Sequence, residues 1–530
     1  MSIISVSHLT FSYDSAADPI FSDVSFELDT DWKLGFIGRN GRGKTTFLNL
    51  LMGKYPYSGT IFFRETFCYF PDSPANPRLA AMDVVKDVIA PFRQWETEME
   101  QLLKTPDENN LSRYGELLER YQSLDGYETE ANIQKEAAKL EIPESLLTRR
   151  FDTLSQGEQT KLLLIGMFLK KHCFLLIDEP TNHLDMHGRQ VLSRYLSAKH
   201  GFLLVSHDRT FLNGCIDHVL SINRADIEVM HGNFDTWQQQ KDLRDRYELE
   251  QNRKLKAQIN ELETAKRRTS GWSDKVEATK KGTRTAGLRP DRGFIGRKAA
   301  KMMKRAKVLE HRQEAAIMQK SKLLKNLEQS DALSLHLLGH PKQELIQVQN
   351  LAIDYGDGPL FAPLSFQIRQ GERICLQGPN GSGKSSIVKL LLGQKIPYSG
   401  RIHLAAGLNI SYVAQDTSQL HGSPAEYAEK LGIDRTLFFT ILRKLGFARS
   451  QFELDTADAS GGQKKKILLA AGLCIPAHLF VFDEPLNFID VISRIQIEEL
   501  VLAEKPTLLF IEHDRAFCEH AATKTVVLSR

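Results

Sequence analysis

No run of eighteen apolar residues occurs anywhere in the 530-residue chain, which excludes a simple membrane-spanning helix. The opening MSIISVSHLTFSYD has no basic stretch followed by an apolar one, as a secretory signal would, so a cytoplasmic protein with no membrane partner is expected. Cysteine is sparse. Cys68, Cys173, Cys215, Cys375, Cys474 and Cys518 lie far apart with no C-x-x-C pair, which excludes a disulfide framework or cysteine metal site and leaves reduced packing thiols. Charge of one sign is also scarce in the total, a net of +3, but not in its distribution. Residues 241–330 carry 25 Lys and Arg against 12 Asp and Glu, so the remainder is acidic by ten charges. With 42% hydrophobic and 25% charged residues the chain reads as globular, and its length calls for two or three domains.

What is there is organised by repetition. Each half opens with a strand pattern ending in tyrosine, LTFSYD at Tyr13 and LAIDYG at Tyr355, followed by a strand that runs into a glycine loop. Then come a Ser-Gly signal (LSQGEQ from Leu154, ASGGQK from Ala459), an apolar strand ending in paired acids (FLLIDEP, LFVFDEP), and another ending in histidine (FLLVSHD, LLFIEHD). Five features in one order make a duplication. Asp72 to Gln415 spans 343 positions, but Ser155 to Ser460 spans only 305, so the first half holds about 38 extra residues between Asp72 and Ser155. That stretch, with charges and helically spaced Leu and Tyr, is expected to form a helical arm over about 85–150.

The glycine loops are G-x-x-x-x-G-K-[ST], GRNGRGKT at 38–45 and GPNGSGKS at 378–385. Glycines let backbone N–H groups close around phosphates, lysine reaches the outer phosphates, and the following hydroxyl binds Mg2+. This marks Gly38, Asn40, Gly41, Gly43, Lys44, Thr45 and Thr46, with Gly378, Asn380, Gly381, Gly383, Lys384, Ser385 and Ser386, as ATP-binding candidates. Asp178 and Asp483 are expected to join Thr45 and Ser385 in holding Mg2+, with Glu179 and Glu484 placed to orient or deprotonate the attacking water. His207 and His513, recurring 28 and 29 residues after those glutamates, could sense the γ-phosphate. Tyr13 and Tyr355 either stack on adenine or serve as core tyrosines.

Tyrosine, glycine loop, Ser-Gly signal, Asp-Glu strand and histidine, in this order, resemble the ATP-binding cassette (ABC) ATPases. In that family two cassettes pack head to tail. The resemblance implies an α/β fold of two tandem ABC-type P-loop nucleotide-binding domains, over 1–236 and 345–530, joined by a long α-helical hairpin over 237–330. It pairs Gly38 to Thr46 with Ser460 and Gly462, and Gly378 to Ser386 with Ser155 and Gly157, so that ATP would join the halves of a monomer and hydrolysis release them. Two departures stand out. At the position where the family has a glutamine that approaches Mg2+, the first half has Asp72 and the second Gln415, and Gln156 replaces the first signature glycine. The two sites are therefore not expected to be kinetically equivalent.

Between the cassettes, 237–272 and 296–329 read as two long charged helices flanking a Gly-, Thr- and Arg-rich tip over about 272–296. Residues 264–307 hold 15 basic and 3 acidic residues, a single-signed run suited to structured RNA. Two cassettes on one chain, EPTNHLD (179–185), GNFDTW (232–237) and a basic linker resemble the ABC-F translation factors, which bind the ribosomal exit site. WKLGFIGRNGRGKTT, GFIGRKAAKMMKRAK and EPLNFID look like the Lsa/Vga/Sal-like branch that protects bacterial ribosomes against lincosamides, pleuromutilins and streptogramin A. The partners so implied are the bacterial ribosome, its large-subunit RNA and the P-site tRNA. Contact candidates are Lys280, Lys281, Arg284, Leu288, Arg289, Arg292, Phe294, Lys301, Lys304 and Arg305, with packing inside the hairpin end an equal alternative for Leu288, Phe294 and Ile295. A housekeeping ABC-F factor and a transporter ATPase subunit are the competing readings. No extension is expected beyond Arg530.

Overall fold

The computed structural model describes residues 2–13, 19–104, 107–222, 227–279, 304, 308, 333–356, 358–447, 449–453 and 455–529, with backbone alone at 265–279 and 449–450. The chain divides into two units, 1–235 with 330–530, and 236–329.

In the first cassette β1 (Ile3–Phe11), β2 (Phe21–Asp29) and β4 (Ser58–Phe62) form an antiparallel sheet in the order β2-β1-β4. A second sheet of six strands runs β5-β6-β7-β3-β8-β9. It comprises β3 (Lys33–Ile37), β5 (Thr66–Phe70), β6 (Cys173–Asp178), β7 (Phe202–Val205), β8 (His218–Ile222) and β9 (Ile227–His231), and only β9 is antiparallel. Its central strands are continuous apolar runs because both faces are covered: Phe174 to Ile177 and Phe202 to Val205 are buried at every position. Phe36, Phe47, Leu176 and Leu203 lie in the core where the two sheets meet.

The helices of this cassette are α1 (Lys44–Leu51), α2 (Ala81–Ile89), α3 (Phe92–Lys104), α4 (Glu108–Ser123), α5 (Thr129–Lys139), α6 (Glu144–Leu147), α7 (Gln156–Leu169), α8 (Met186–Ser197) and α9 (Arg209–Cys215). A single long helix, α10 (Phe234–Thr279), leads into the second unit.

The second cassette repeats the plan. Strands β10 (Glu344–Ile353), β11 (Leu364–Arg369) and β13 (Tyr398–Leu404) pair as β11-β10-β13. Strands β12 (Arg373–Gln377), β14 (Ile410–Val413), β15 (Leu479–Asp483), β16 (Leu508–Ile511) and β17 (Lys524–Val527) form a parallel sheet, β14-β15-β16-β12-β17. Its helices are α11 (Lys384–Leu391), α12 (Pro424–Lys430), α13 (Arg435–Lys444), α14 (Gly461–Cys474), α15 (Val491–Glu504) and α16 (Arg515–Ala521).

The duplication locates the insertion. Helix α2 begins 343 residues before α12 and α7 begins 305 before α14, while α5 precedes α13 by about 305, so the extra residues are α3 and α4 with the short turn after them. The arm is thus narrower than 85–150, because α5 and α6 belong to the shared cassette plan. Arg113 ties α4 to Glu98 of α3 at 3.0 Å, and the Tyr121 hydroxyl donates to Glu96 at 2.7 Å.

Helix α10 runs seven residues past Trp272, so the first part of the expected irregular tip continues the helix. SDKVEAT, residues 273–279, contains neither glycine nor proline to stop it. Of the contact candidates, only Lys304 falls among the described residues, where it is helical and exposed; the others, with the remainder of the tip and most of the second hairpin helix, lie outside them.

Candidate nucleotide sites between the cassettes

Each glycine loop leaves a buried strand and enters a helix. Gly43 and Gly383, at φ 94° and 91°, occupy the left-handed region that a side chain would strain, and they start α1 and α11 with free N–H groups. Lys44 Nζ is drawn back over its loop, donating to the Gly38 carbonyl at 2.6 Å, and Lys384 Nζ donates to the carbonyls of Gly378 and Pro379 at 2.8 Å each. Burial lowers both lysines from the usual range. The tyrosines are tethered to the same helices: Tyr13 shares a 3.0 Å hydrogen bond with Thr46, and Tyr355 donates to Ser386 at 3.1 Å. Tyr13 also packs edge-on against Phe11 and Tyr55, whereas Tyr355 is 57% exposed.

The two cassettes share interfacial sites. A cavity of about 870 Å³ is lined on one side by Tyr355 and the loop from Pro379 to Ser386, and on the other by Ser155, Gln156 and Gly157. The signature serines are helix caps. Ser155 Oγ accepts from the Glu158 N–H and Ser460 Oγ from the Gln463 N–H, both at 3.3 Å, each completing a capping box. Ser155 therefore aims the positive end of α7 at the second glycine loop. Across the first site Asn40 Nδ2 donates to the Phe488 carbonyl at 2.9 Å, and a side chain on Gly462 would lie 2.9 Å from that same Nδ2. The Phe488 carbonyl of the same cassette would lie closer still, at 2.6 Å, so glycine is required there by its own backbone surroundings as well as by Asn40.

Each first carboxylate ends a central strand of its own cassette. Asp178 pairs with Val205 and Asp483 with Ile511 in register, and the next residues, Glu179 and Glu484, turn at φ 50° and 48°. Left-handed backbone at two non-glycine residues is stored strain, held by hydrogen bonds from their N–H groups to Val205 and Ile511 at 2.8 and 3.0 Å. Thr45 Oγ1 lies 3.5 Å from Asp178 Oδ2, and Ser385 Oγ lies 3.2 Å from Asp483 Oδ1. These paired hard oxygens fit Mg2+, which they would hold together with phosphate and water oxygens. No group of three His, Cys, Asp or Glu suited to a metal occurs among the described residues.

The glutamates differ. Burial and the Asp178 carboxylate push Glu179 up to about 8 against the pull of Arg494, Lys44 and Arg189. His207 Nε2 stands 3.4 Å from Glu179 Oε1, which accepts no hydrogen bond, and burial with nearby Lys44 and Arg494 keeps this histidine well below its ordinary value. Burial also pushes Glu484 upward, but His513 at 3.4 Å, Gln415 and Lys465 outweigh it and hold the carboxyl below the usual range. Gln415 Nε2 and Asn487 Nδ2 donate to Glu484 Oε2 at 2.7 and 2.6 Å. Burial and Glu484 together raise Asp483 to about 6.

Gln415 thus joins its site through Glu484. Asp72 sits on the wall of a separate cleft of about 480 Å³, with Lys54, Tyr69, Asp87 and Lys170. Thr45 and Asp178, with which it was expected to share Mg2+, are not among the residues lining that cleft. Tyr69, three residues earlier, donates to Asp178 Oδ2 at 3.1 Å.

Asn487, Lys465 and the buried pairs Arg189–Asp208 (2.9 Å) and Arg494–Asp514 (3.2 Å) were missed by sequence reasoning. Each lies a fixed number of residues from a recognised motif, and matching the two halves position by position would have exposed Lys465 against Thr160.

The family model described as ABC transporter matches residues 21–182 and 361–487. The chain is 27% identical over 536 residues to the ribosome protection protein VmlR of Bacillus subtilis (strain 168), covering 98% of this chain and 85% of that protein. It is 26% identical over 527 residues to the energy-dependent translational throttle protein EttA of Escherichia coli (strain K12), covering 95% and 88%. A solved complex of the archaeal ribosome recycling factor aABCE1 with ribosomal stalk protein aP1 superposes with a TM-score of 0.55 at 17% identity, over 99% of this chain and 87% of that one.

Proposed function

Since the chain belongs to the ABC transporter family, as an ATPase with two of its nucleotide-binding domains, we propose that it is an ABC-F factor that protects the bacterial ribosome from antibiotics. Bound at the exit site, it would displace lincosamides, pleuromutilins or streptogramin A from the peptidyl-transferase centre through the tip of its linker. The observation that carries this reading is the shared cavity between Ser155–Gly157 and Pro379–Ser386 in a chain whose cassettes are joined by a strongly basic segment. Such a clamp closes within one molecule, and the segment it positions has the charge of an RNA ligand. No described helix is long and apolar enough to cross a membrane, which lends no support to a transporter role. The relative named for ribosome protection supports the drug-linked function, and the relative named a translational throttle supports a second reading, a housekeeping ABC-F factor.

The chemistry follows from the sites. Lys44 and Lys384 would bind the outer phosphates of ATP, with Tyr13 and Tyr355 at the base. Thr45 with Asp178 and Ser385 with Asp483 would hold Mg2+, which supplies charge neutralisation at the phosphates when bound. Glu179 and Glu484 are placed to orient the attacking water, and His207 and His513 to meet the γ-phosphate beside them. The helix N-termini capped by Ser155 and Ser460 add positive potential from the opposite cassette.

The deciding experiment is bacterial cell-free translation inhibited by a lincosamide, with and without the purified protein and ATP. Rescue is expected. Ribosome binding without rescue would favour the housekeeping reading, which shares every ATP-site residue, and absence of binding would remove both.

A further inference from the structure

The two sites share a template, but only one glutamate is braced. Glu484 Oε2 receives hydrogen bonds from Gln415 at 2.7 Å and Asn487 at 2.6 Å. Beneath them Lys465, 1% exposed, donates through Nζ to the carbonyls of Ala414, Gln415 and Asp483 at 2.8, 3.3 and 3.2 Å. One buried cation therefore ties the backbone that carries Gln415 to the strand end that carries Glu484.

The first site lacks each part. Val413 pairs with Phe482 as Phe70 pairs with Ile177, so Asp72 stands where Gln415 does, and it lines a different cleft. Five residues beyond the signature serines, Lys465 corresponds to the buried Thr160, whose side chain cannot span three carbonyls. Asn182, the counterpart of Asn487, lines the second-site cavity together with Asn487, and Glu179 Oε1 is buried without a hydrogen-bond partner. The first site is instead pinned across the interface by the bond from Asn40 to the Phe488 carbonyl.

We propose that the site built on Lys384 and Glu484 turns ATP over, with Lys465 as its positioning residue, while the site built on Lys44 and Glu179 retains ATP uncleaved through many cycles. In the second site a water oxygen bonds to the γ-phosphorus as the bond from that phosphorus to the β–γ bridging oxygen breaks. The electron pair of the broken bond leaves on ADP, and the water's proton passes by way of Glu484 to the released phosphate or solvent. A carboxylate fixed by two amide donors keeps the water in line, and Lys465 keeps one of those donors in place.

The test counts nucleotides as well as turnover, on the full chain. After incubation with labelled Mg2+-ATP and rapid gel filtration, each wild-type chain should carry about one ATP, with ADP as the other nucleotide. Lys44→Ala should lose the retained ATP and Lys384→Ala the ADP. Lys465→Met should lower kcat by at least ~10-fold with KM for ATP changed less than ~3-fold, and shift retention toward about two ATP per chain. Gln415→Ala, at an exposed position, should act in the same direction and decides the matter if Lys465→Met does not fold. Glu484→Gln should lower kcat at least ~10-fold and Glu179→Gln about 2- to 3-fold. Equal losses from the two glutamate variants, or retained ATP that disappears with Lys384→Ala, would overturn the assignment.

Discussion

Arg189, on α8 of the first cassette, donates through Nη1 to the backbone carbonyl of His513 in the second, at 3.3 Å. The same nitrogen holds Asp208 at 2.9 Å, and both side chains are buried. Arg494 and Asp514 repeat the pair in the other cassette at 3.2 Å, while Arg209 reaches Glu498 across the interface. The strand end that places His513 is thus fastened to a helix of the opposite cassette.

Arg189→Ala should therefore damage more than the first cassette. It leaves Asp208 buried without its cation, a change that costs about 3–5 kcal/mol when an ion pair is broken from one side. A lower melting temperature is expected together with a lower kcat, since the His513 strand end loses its cross-cassette anchor. Thermal unfolding and steady-state ATPase assays check the two effects; a loss of stability with normal turnover would reduce Arg189 to a core ion pair.

The signature caps should act on the opposite cassette's nucleotide. Removing an N-cap hydroxyl costs about 1 kcal/mol of local helix stability, enough for roughly a fivefold change in affinity at the helix end. Ser155→Ala should raise the KM for turnover several-fold, because α7 faces Lys384. Ser460→Ala should instead lower the amount of retained ATP. Nucleotide titration of each variant distinguishes these outcomes, and identical behaviour would contradict the separate pairing of the sites.

Both glycine loops, the serine caps and the Asp-Glu strand ends were legible in the sequence, since each is a local pattern whose chemistry dictates its neighbours. The repeat offset also revealed the arm, but its limits were misplaced because periodicity alone does not distinguish inserted helices α3 and α4 from α5, which has a counterpart in α13. Lys465 was invisible for a different reason. A lysine in QKKK at the start of a helix reads as a solvated charge, and only the packing of β14 and β15 against α14 brings the Ala414, Gln415 and Asp483 carbonyls around it. The end of the first linker helix was set by the first evident tip residues, although Ser273 to Thr279 contain no breaker.

Glu179→Gln combined with Glu484→Gln should bind ATP without cleaving it and leave the closed protein on ribosomes. Co-sedimentation with ribosomes in ATP should rise above that of wild type, and failure to co-sediment would refute the proposed cycle. Deleting 281–289 should separate the two activities of the factor, abolishing rescue of drug-inhibited translation with ribosome binding largely intact. Loss of binding in that deletion would make the segment a docking element instead of an effector.

Glu136 supplies an acid-sensitive link between α5 and the end of α8. Burial raises its carboxyl, but hydrogen bonds from Lys139 and Lys199 outweigh burial and lower it from 4.5 to about 2. Lys139 and Lys199 stand 2.7 and 2.6 Å from its two oxygens. Because the folded form holds its proton more weakly than the unfolded form, the stabilisation is fully present above about pH 4.5 and is lost as pH falls toward 2. Its size is on the order of 2 kcal/mol. Glu136→Gln should therefore be less stable than wild type at pH 7, and the difference should shrink steadily between pH 4.5 and 2 as the wild-type carboxylate protonates. Urea midpoints of the two proteins at pH 7, 4 and 3 measure this convergence. A gap that stayed constant with pH would mean that Glu136 contributes through packing alone.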